Sequence, residues 1–202
     1  MVSPTPRLVL ASKSFSRRQI LENAGIPFNW VDADVDENAI KQQGLSGHLS
    51  PEDIALSLAH AKAERVFDDN ADTLVLGCDQ ILVSDGDIYD KPADIAEARS
   101  HLMRFRGRPH TLISAMTLLQ SNAKPWRYVD RATLTVRDIS DAFLDDYLKS
   151  EGDSILSSVG AYRLESRGIQ LFDDIVGNYF TILGLPLLPL LNEVRRRGGL
   201  ET

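Results

Sequence analysis

The segment Thr73 to Val83, TLVLGCDQILV, constrains this chain more than any other stretch. Both of its alternating sets of side chains are apolar, the pattern of a strand covered on both faces in the middle of a sheet. Arg7 to Ser12 and Pro27 to Val31 read as two further short strands. Helical sequence fills Ser14 to Ala24, with Ser14 or Ser16 as N-cap and Gly25 as the stop. Asp32 to Ser50 is polar, contains two glycines, and reads as a loop with at most a short turn. Ser50-Pro51-Glu52-Asp53 supplies a cap, a first-turn proline and first-turn acids, and predicts a helix to about Phe67. Beyond the apolar strand, Ser84 to Asp87 reads as a hairpin turn and Asp94 to Arg106 as a helix ended by Gly107. Strands are expected at Pro109 to Leu119 and Trp126 to Val136, and helices at Ser140 to Lys149 and Leu187 to Arg197. The mixture, with at least one hairpin, predicts an α/β sandwich around a mixed sheet.

A chain of 202 residues suits one domain or two closely joined lobes, and is long enough to bury a full core. Its single cysteine, Cys78, excludes an internal disulfide framework and fits a reducing compartment. The N-terminal MVSPTPRLVLASKS does not read as a signal peptide, because its apolar run is short and is followed by Lys13, Arg17 and Arg18. The longest apolar candidate for a membrane span, Phe180 to Leu191, is interrupted by Gly184, Pro186 and Pro189. A cytoplasmic protein without a membrane partner is expected. The net charge of −7 argues against a nucleic-acid polymer as partner. An acidic chain can still bind a small anion where a few cations converge, or through a divalent metal.

Three features could carry chemistry. The first is Ser12-Lys13-Ser14-Phe15-Ser16-Arg17-Arg18, between a strand and a helix. Such a turn offers free N–H groups and a positive dipole end to phosphate, with the Ser12 and Ser14 hydroxyls as added donors and an arginine as a two-toothed grip. Serines capping a helix, with arginines in solvent, would give the same spacing. No GxxxxGK[ST] sequence is present, so this is not a P-loop. The second is Asp79, a carboxylate inside an apolar strand, which needs a partner, a metal or solvent. It could be a metal ligand or a base for water, or it could turn out and bond to loop amides. Gln80 faces the other way along a regular strand and could read a base edge. The third is a pair of lysines, Lys91 before Pro92 and Lys62 among small alanines in LAHAKAERV; either could meet phosphate or simply be a solvated charge. The acidic cluster Asp34, Asp36 and Glu37 is a solvated loop or, with Asp79, a holder of Mg²⁺ or Mn²⁺. The four histidines lack zinc spacing, and Ser114, Ser157 and Ser158 lack a GxSxG context.

These pieces occur in a recognisable order: LASKSFSRRQIL, DVDENA, LAHAKAERV, VLGCDQILVSDGDIYDKP, DIAEARSHLMRFRGRPH, GAYRLESRGIQLF and GLPLLPLL. Together they resemble the Maf family of nucleotide pyrophosphatases over nearly the whole length. The resemblance implies one Maf-like domain over residues 1–202, with two lobes around a cleft, and a homodimer. It implies that Asp79 is the proton acceptor, that Ser12 and Arg17 bind phosphate with Ser14 and Arg18 as helpers, and that Lys62 and Lys91 offset charge. Glu37 matches the family's acidic-loop glutamate and would hold the metal with Asp79. Ser16, Gln80 and Glu165 match the positions that tune base choice, and the Asp-Gln pair with Glu165 resembles the subgroup acting on 7-methyl-GTP. Phe15 and Ser16 depart from the family's usual proline and large side chain, which leaves more room beside the base.

The expected reaction is hydrolysis of a nucleoside triphosphate to the monophosphate and pyrophosphate, with charge stabilisation as the main source of catalysis. Two rivals stay open at this level. One is a nucleotide-binding regulatory protein of cell division without turnover, and the other an enzyme that removes only the terminal phosphate.

Overall fold

The computed structural model describes residues 7–68 and 72–201, so Met1 to Pro6 of the N-terminal stretch lie outside the described residues. Seven strands form one mixed sheet in the order β2-β1-β3-β5-β6-β7, with β4 paired to β3. They are β1 Leu8–Ala11, β2 Phe28–Val31, β3 Leu74–Ser84, β4 Asp87–Tyr89, β5 Pro109–Leu119, β6 Trp126–Val136 and β7 Phe172–Val176. β1 runs parallel to both β2 and β3, with Ala11 level with Val31 on one side and Gly77 on the other. β3/β4 and β6/β7 are antiparallel. The helices are α1 Phe15–Asn23, α2 Glu37–Ser46, α3 Pro51–Val66, α4 Ile95–Phe105, α5 Asp141–Glu151, α6 Tyr179–Ile182 and α7 Leu187–Arg196. The expected α/β architecture around a mixed sheet is therefore present, and the doubly apolar strand occupies an interior position in it.

Local chemistry explains most of the boundaries. Ser14, Ser50 and Ser140 cap α1, α3 and α5 through their side chains, and Asp94 caps α4; such a cap is typically worth about 1 kcal/mol. Asp85 and Gly86 both take positive φ in the β3–β4 turn, the conformation that lets a two-residue hairpin follow the strand twist. The apolar run near the C-terminus splits into α6 and α7 around Gly184, whose φ is +85°. Among the described residues no helix is long and apolar enough to cross a membrane.

One expectation needs correction. Asp32 to Ser50 is not merely a loop: it contains α2, ten residues long. Asp36 caps it by accepting from the Ala39 amide at 2.9 Å. Gly44, which reads as a breaker, is buried against α3, where a Cβ would stand 2.7 Å from Ile54 Cγ1. That glycine is required by a close helix contact rather than by a turn. The edge strand β7 and the short α6 also escape a reading by periodicity, β7 because Asp173 and Asp174 interrupt its apolar residues.

The chain forms two compact units. The first comprises Met1–Asp79, Ser114–Asp130 and Leu183–Thr202, and the second Gln80–Ile113 and Arg131–Ile182. In the first unit Ala11, Ala33, Ala63, Val75 and Leu119 form a small buried cluster beneath α3. In the second, Leu82, Leu102, Phe105, Leu134, Tyr147, Ile155 and Tyr162 belong to a larger one. His110 sits within that core, 2% exposed, stacked on Phe105 at 4.9 Å, with Nε2 2.7 Å from the Tyr162 hydroxyl.

Burial holds His110 in its neutral form by lowering its pKa from 6.5 to about 4. The unfolded chain takes up this proton as pH falls through about 6.5 and the folded chain does so only near 4, so stability is lost across that window. At pH 5 the loss from this residue should be on the order of 2 kcal/mol. Urea denaturation of wild type and His110→Asn at pH 7 and pH 5 checks it: the wild type should lose more stability on acidification than the variant.

Candidate active site

The three parallel strands bring the chemistry-bearing residues of the first unit to one end. Ser12 follows β1, Asp32 follows β2, and Asp79 lies two residues beyond Gly77, which is level with the last residue of β1. The carboxyl ends of parallel strands are where α/β sheets bind ligands, because the loops and helix N-termini gather there. α1 starts at this end, and no acid occupies its first turn, which leaves the positive end of its dipole available to an anion.

Asp79 is 5% exposed, and its burial would be costly without a partner. The partner is Lys62, whose Nζ donates to Asp79 Oδ1 at 2.6 Å and lies 2.8 Å from Glu37 Oε1. One ammonium thus bridges two carboxylates. The Lys62 and Asp79 side chains are 11% and 7% exposed and that of Glu37 is 48% exposed, so the cluster is open on the glutamate's side. Two local features create it. Gly77 and Asp79 are on the same face of β3, and a Cβ on Gly77 would stand 1.9 Å from the Ala59 carbonyl oxygen. α3 therefore lies directly on the strand, which lets Lys62 reach Asp79. Glu37, in the first turn of α2, is delivered by the helix that a loop reading leaves out.

Arg17 is buried and bonded within the protein. Its Nε donates to the Gly184 carbonyl at 2.9 Å, and its Nη1 donates to the Cys78 carbonyl at 3.0 Å and to Ser12 Oγ at 3.2 Å. Ser12 Oγ also accepts from the Ser14 amide at 3.2 Å, and Ser14 Oγ caps α1 at the Arg17 amide. Arg18 lies over the half-exposed Trp30 ring, 4.4 Å from its centroid. Ser16 is partly buried on α1 and Phe15 is exposed. Lys13 pairs with Asp32 at 3.2 Å, and this bond lowers the Asp32 pKa. Burial pushes the Cys78 thiol up to about 11, so it stays protonated.

The remaining expected residues belong to the second unit. Gln80 Nε2 donates to the Thr181 and Ile182 carbonyls, both at 3.0 Å, and so holds the end of α6. Glu165 accepts from Arg163 Nε at 3.3 Å. Lys91 is exposed beside the buried Pro92. Structure thus assembles Ser12, Ser14, Arg17, Lys62, Asp79 and Glu37 in one unit and sets Gln80, Lys91 and Glu165 in the other. A reading by motif did not single out Gly77, Asp32 or the Cys78 and Gly184 carbonyls. Gly77 had a signal, since glycine inside a strand marks a close backbone approach; the carbonyls had none.

The pair Asp79 and Glu37 offers hard oxygen donors that already converge on a cation, the Lys62 ammonium. That donor set suits Mg²⁺ or Mn²⁺, which are commonly held by one or two carboxylates plus substrate phosphates. Among the described residues no group of three or more His, Cys, Asp or Glu side chains is placed to hold a metal by itself.

A fold with a mixed sheet, and a buried aspartate–lysine pair beside a serine- and arginine-bearing helix start, is the setting of an enzyme acting on phosphorylated ligands. The family model described as Maf-like protein matches residues 7–197, and the chain belongs to the Maf family. It is 47% identical to a 7-methyl-GTP pyrophosphatase of Rhizobium meliloti (strain 1021), over 97% of this chain and 98% of the relative. It is 48% identical to a 7-methyl-GTP pyrophosphatase of Brucella suis biovar 1 (strain 1330), covering 95% and 96% of the two chains. A nucleoside triphosphate pyrophosphatase of Granulibacter bethesdensis is 45% identical over 96% of this chain and 98% of its own.

Breaking a buried ion pair by removing one partner typically costs about 3–5 kcal/mol. Lys62→Met should destabilise the protein on that scale, and adding Asp79→Asn should recover part of the loss by removing the stranded charge; urea denaturation of both checks this. Gly77→Ala should cost about 1–3 kcal/mol through overpacking against α3, and should lower turnover as well because the helix that carries Lys62 is displaced. Thermal melts and steady-state rates of that variant test both effects.

Proposed function

We propose that this chain hydrolyses a nucleoside triphosphate to the nucleoside monophosphate and pyrophosphate, using Asp79 as the group that orients and deprotonates water. The observation that carries the reading is the buried Asp79 carboxylate, held by Lys62 at 2.6 Å, on β3 just beyond the level where β1 ends and the chain turns into α1. A protein that only binds nucleotide needs the phosphate-binding turn but has no use for a buried carboxylate fixed in this way. The names of the relatives support the same reaction.

In this reading the phosphates lie against the N-terminus of α1, with the Ser12 and Ser14 hydroxyls and first-turn amides beside them. The water oxygen attacks the α-phosphorus while Asp79 accepts its proton, and the bond from that phosphorus to the β-bridging oxygen breaks. Lys62 offsets the charge on Asp79 before the step and on phosphate oxygens as they gain charge. Asp79 and Glu37 would hold Mg²⁺ or Mn²⁺, whose contribution when bound is to neutralise charge on the leaving pyrophosphate. Most of the acceleration comes from positioning and electrostatics, as in phosphoryl transfer generally.

The proposed base is 7-methylguanine. Two of the relatives carry that substrate in their names. A glutamate such as Glu165 can accept from the N1–H and N2–H of guanine, and its charge favours the cationic methylated ring. Gln80 contributes by fixing α6 through the Thr181 and Ile182 carbonyls, which occupies its amide protons.

Product analysis with 7-methyl-GTP, GTP, dTTP, UTP and CTP tests both levels. Monophosphate plus pyrophosphate is expected, with the highest kcat/KM for 7-methyl-GTP. Orthophosphate or no product refutes the reaction, whereas equal or faster turnover of dTTP, UTP or CTP refutes only the base. Asp79→Asn keeps the shape and removes the charge, and should lower kcat by at least ~100-fold, a typical loss for a general base; near-normal turnover would remove Asp79 from the role.

A further inference from the structure

Arg17 resembles a residue that grips phosphate, yet its surroundings describe a different task. The side chain is buried, and three of its five N–H donors are spent inside the protein, Nε on the Gly184 carbonyl and both Nη1 protons on the Cys78 carbonyl and Ser12 Oγ. A two-toothed grip on phosphate needs donors on two nitrogens. Here only Nη2 lies outside these bonds.

What the guanidinium does to its neighbours is more specific. A hydroxyl has two acceptor sites and one proton. Ser12 Oγ accepts from Arg17 Nη1 and from the Ser14 amide, both at 3.2 Å. With both acceptor sites filled, its proton is what it has left to offer, and it must donate to whatever acceptor occupies the end of β1. That acceptor sits where α1 begins without an acid in its first turn, a place suited to an anion. The bond to the Cys78 carbonyl meanwhile fixes the peptide that leads into Asp79.

We propose that Arg17 is a positioning residue for the pyrophosphatase reaction: it makes the Ser12 hydroxyl a one-way donor to substrate phosphate and sets the main chain ahead of Asp79, without itself holding phosphate. The proposal rests on the reaction assigned above. It divides the labour of the first loop, with Ser12 touching substrate and Arg17 acting through Ser12 and the Cys78 carbonyl.

A double-mutant cycle of Ser12→Ala and Arg17→Lys on hydrolysis of the best triphosphate substrate tests it. Each single variant should lower kcat/KM by roughly tenfold or more, the scale of one hydrogen bond involving a charged group. The double variant should be no worse than about the more impaired single one, and Ser12→Thr should regain most of the activity. In the Ser12→Ala background, Arg17→Lys should leave product inhibition by pyrophosphate unchanged. Losses that multiply, or a tenfold weaker pyrophosphate inhibition on adding Arg17→Lys to Ser12→Ala, would show that Arg17 holds phosphate independently and overturn the proposal. Should Arg17→Lys fail to fold, the Nε–H signal of Arg17 in ¹⁵N-labelled wild type decides. It should stay protected and unshifted when an α,β-methylene triphosphate is added, and a large shift overturns the idea. An inactive wild type would instead overturn the reaction itself, so the two failures are distinguishable.

Discussion

The structure is organised around a carboxylate placed where a hydrophobic residue would ordinarily sit. Asp79 is in the interior strand of a mixed sheet and nearly without access to water. Such a charge is tolerable only with a partner delivered at hydrogen-bond distance. Lys62 is that partner, and the demand for it propagates outwards. α3 must lie close enough for a lysine to reach, so the strand carries Gly77 where a side chain would collide with the helix backbone. The alanines around Lys62 serve the same approach. Glu37 then completes the cluster from α2, and the helix cap at Asp36 fixes where that glutamate begins.

Two long polar side chains near the candidate site hold main chain. Arg17 ties together the residue after β1, the residue before Asp79 and the turn at Gly184. Gln80 does the same for the last two residues of α6. Both spend side-chain donors on backbone carbonyls. In the proposed reaction such anchoring would fix the main chain around Asp79, which matters because catalysis of phosphoryl transfer depends on preorganised geometry more than on covalent chemistry.

Much of the fold was legible beforehand because its signals are local. Serine caps, Pro51, Gly25, Gly86 and Gly107 each state a boundary through backbone geometry that depends on a few neighbours. β3 announced its interior position by being apolar on both faces. The failures share a different cause. Polarity and two glycines make Asp32 to Ser50 read as a loop, but Gly44 is a contact glycine inside α2. β7 carries two acids because it lies at a sheet edge, where the alternation that marks a buried face is absent.

By itself the sequence determined that the chain would build a mixed α/β sheet, that a serine- and arginine-bearing turn would open its first helix, and that Asp79 would be an expensive residue in need of a partner. Residue types and spacing decide these matters, because they follow from periodicity, capping and the cost of burying charge. The tertiary structure alone decided which lysine answers Asp79, that the same ammonium reaches Glu37, and that Arg17 turns inward to carbonyls at Cys78 and Gly184. Those choices depend on distances between segments remote in the chain, and a carbonyl oxygen carries no sequence signature of what will bind it.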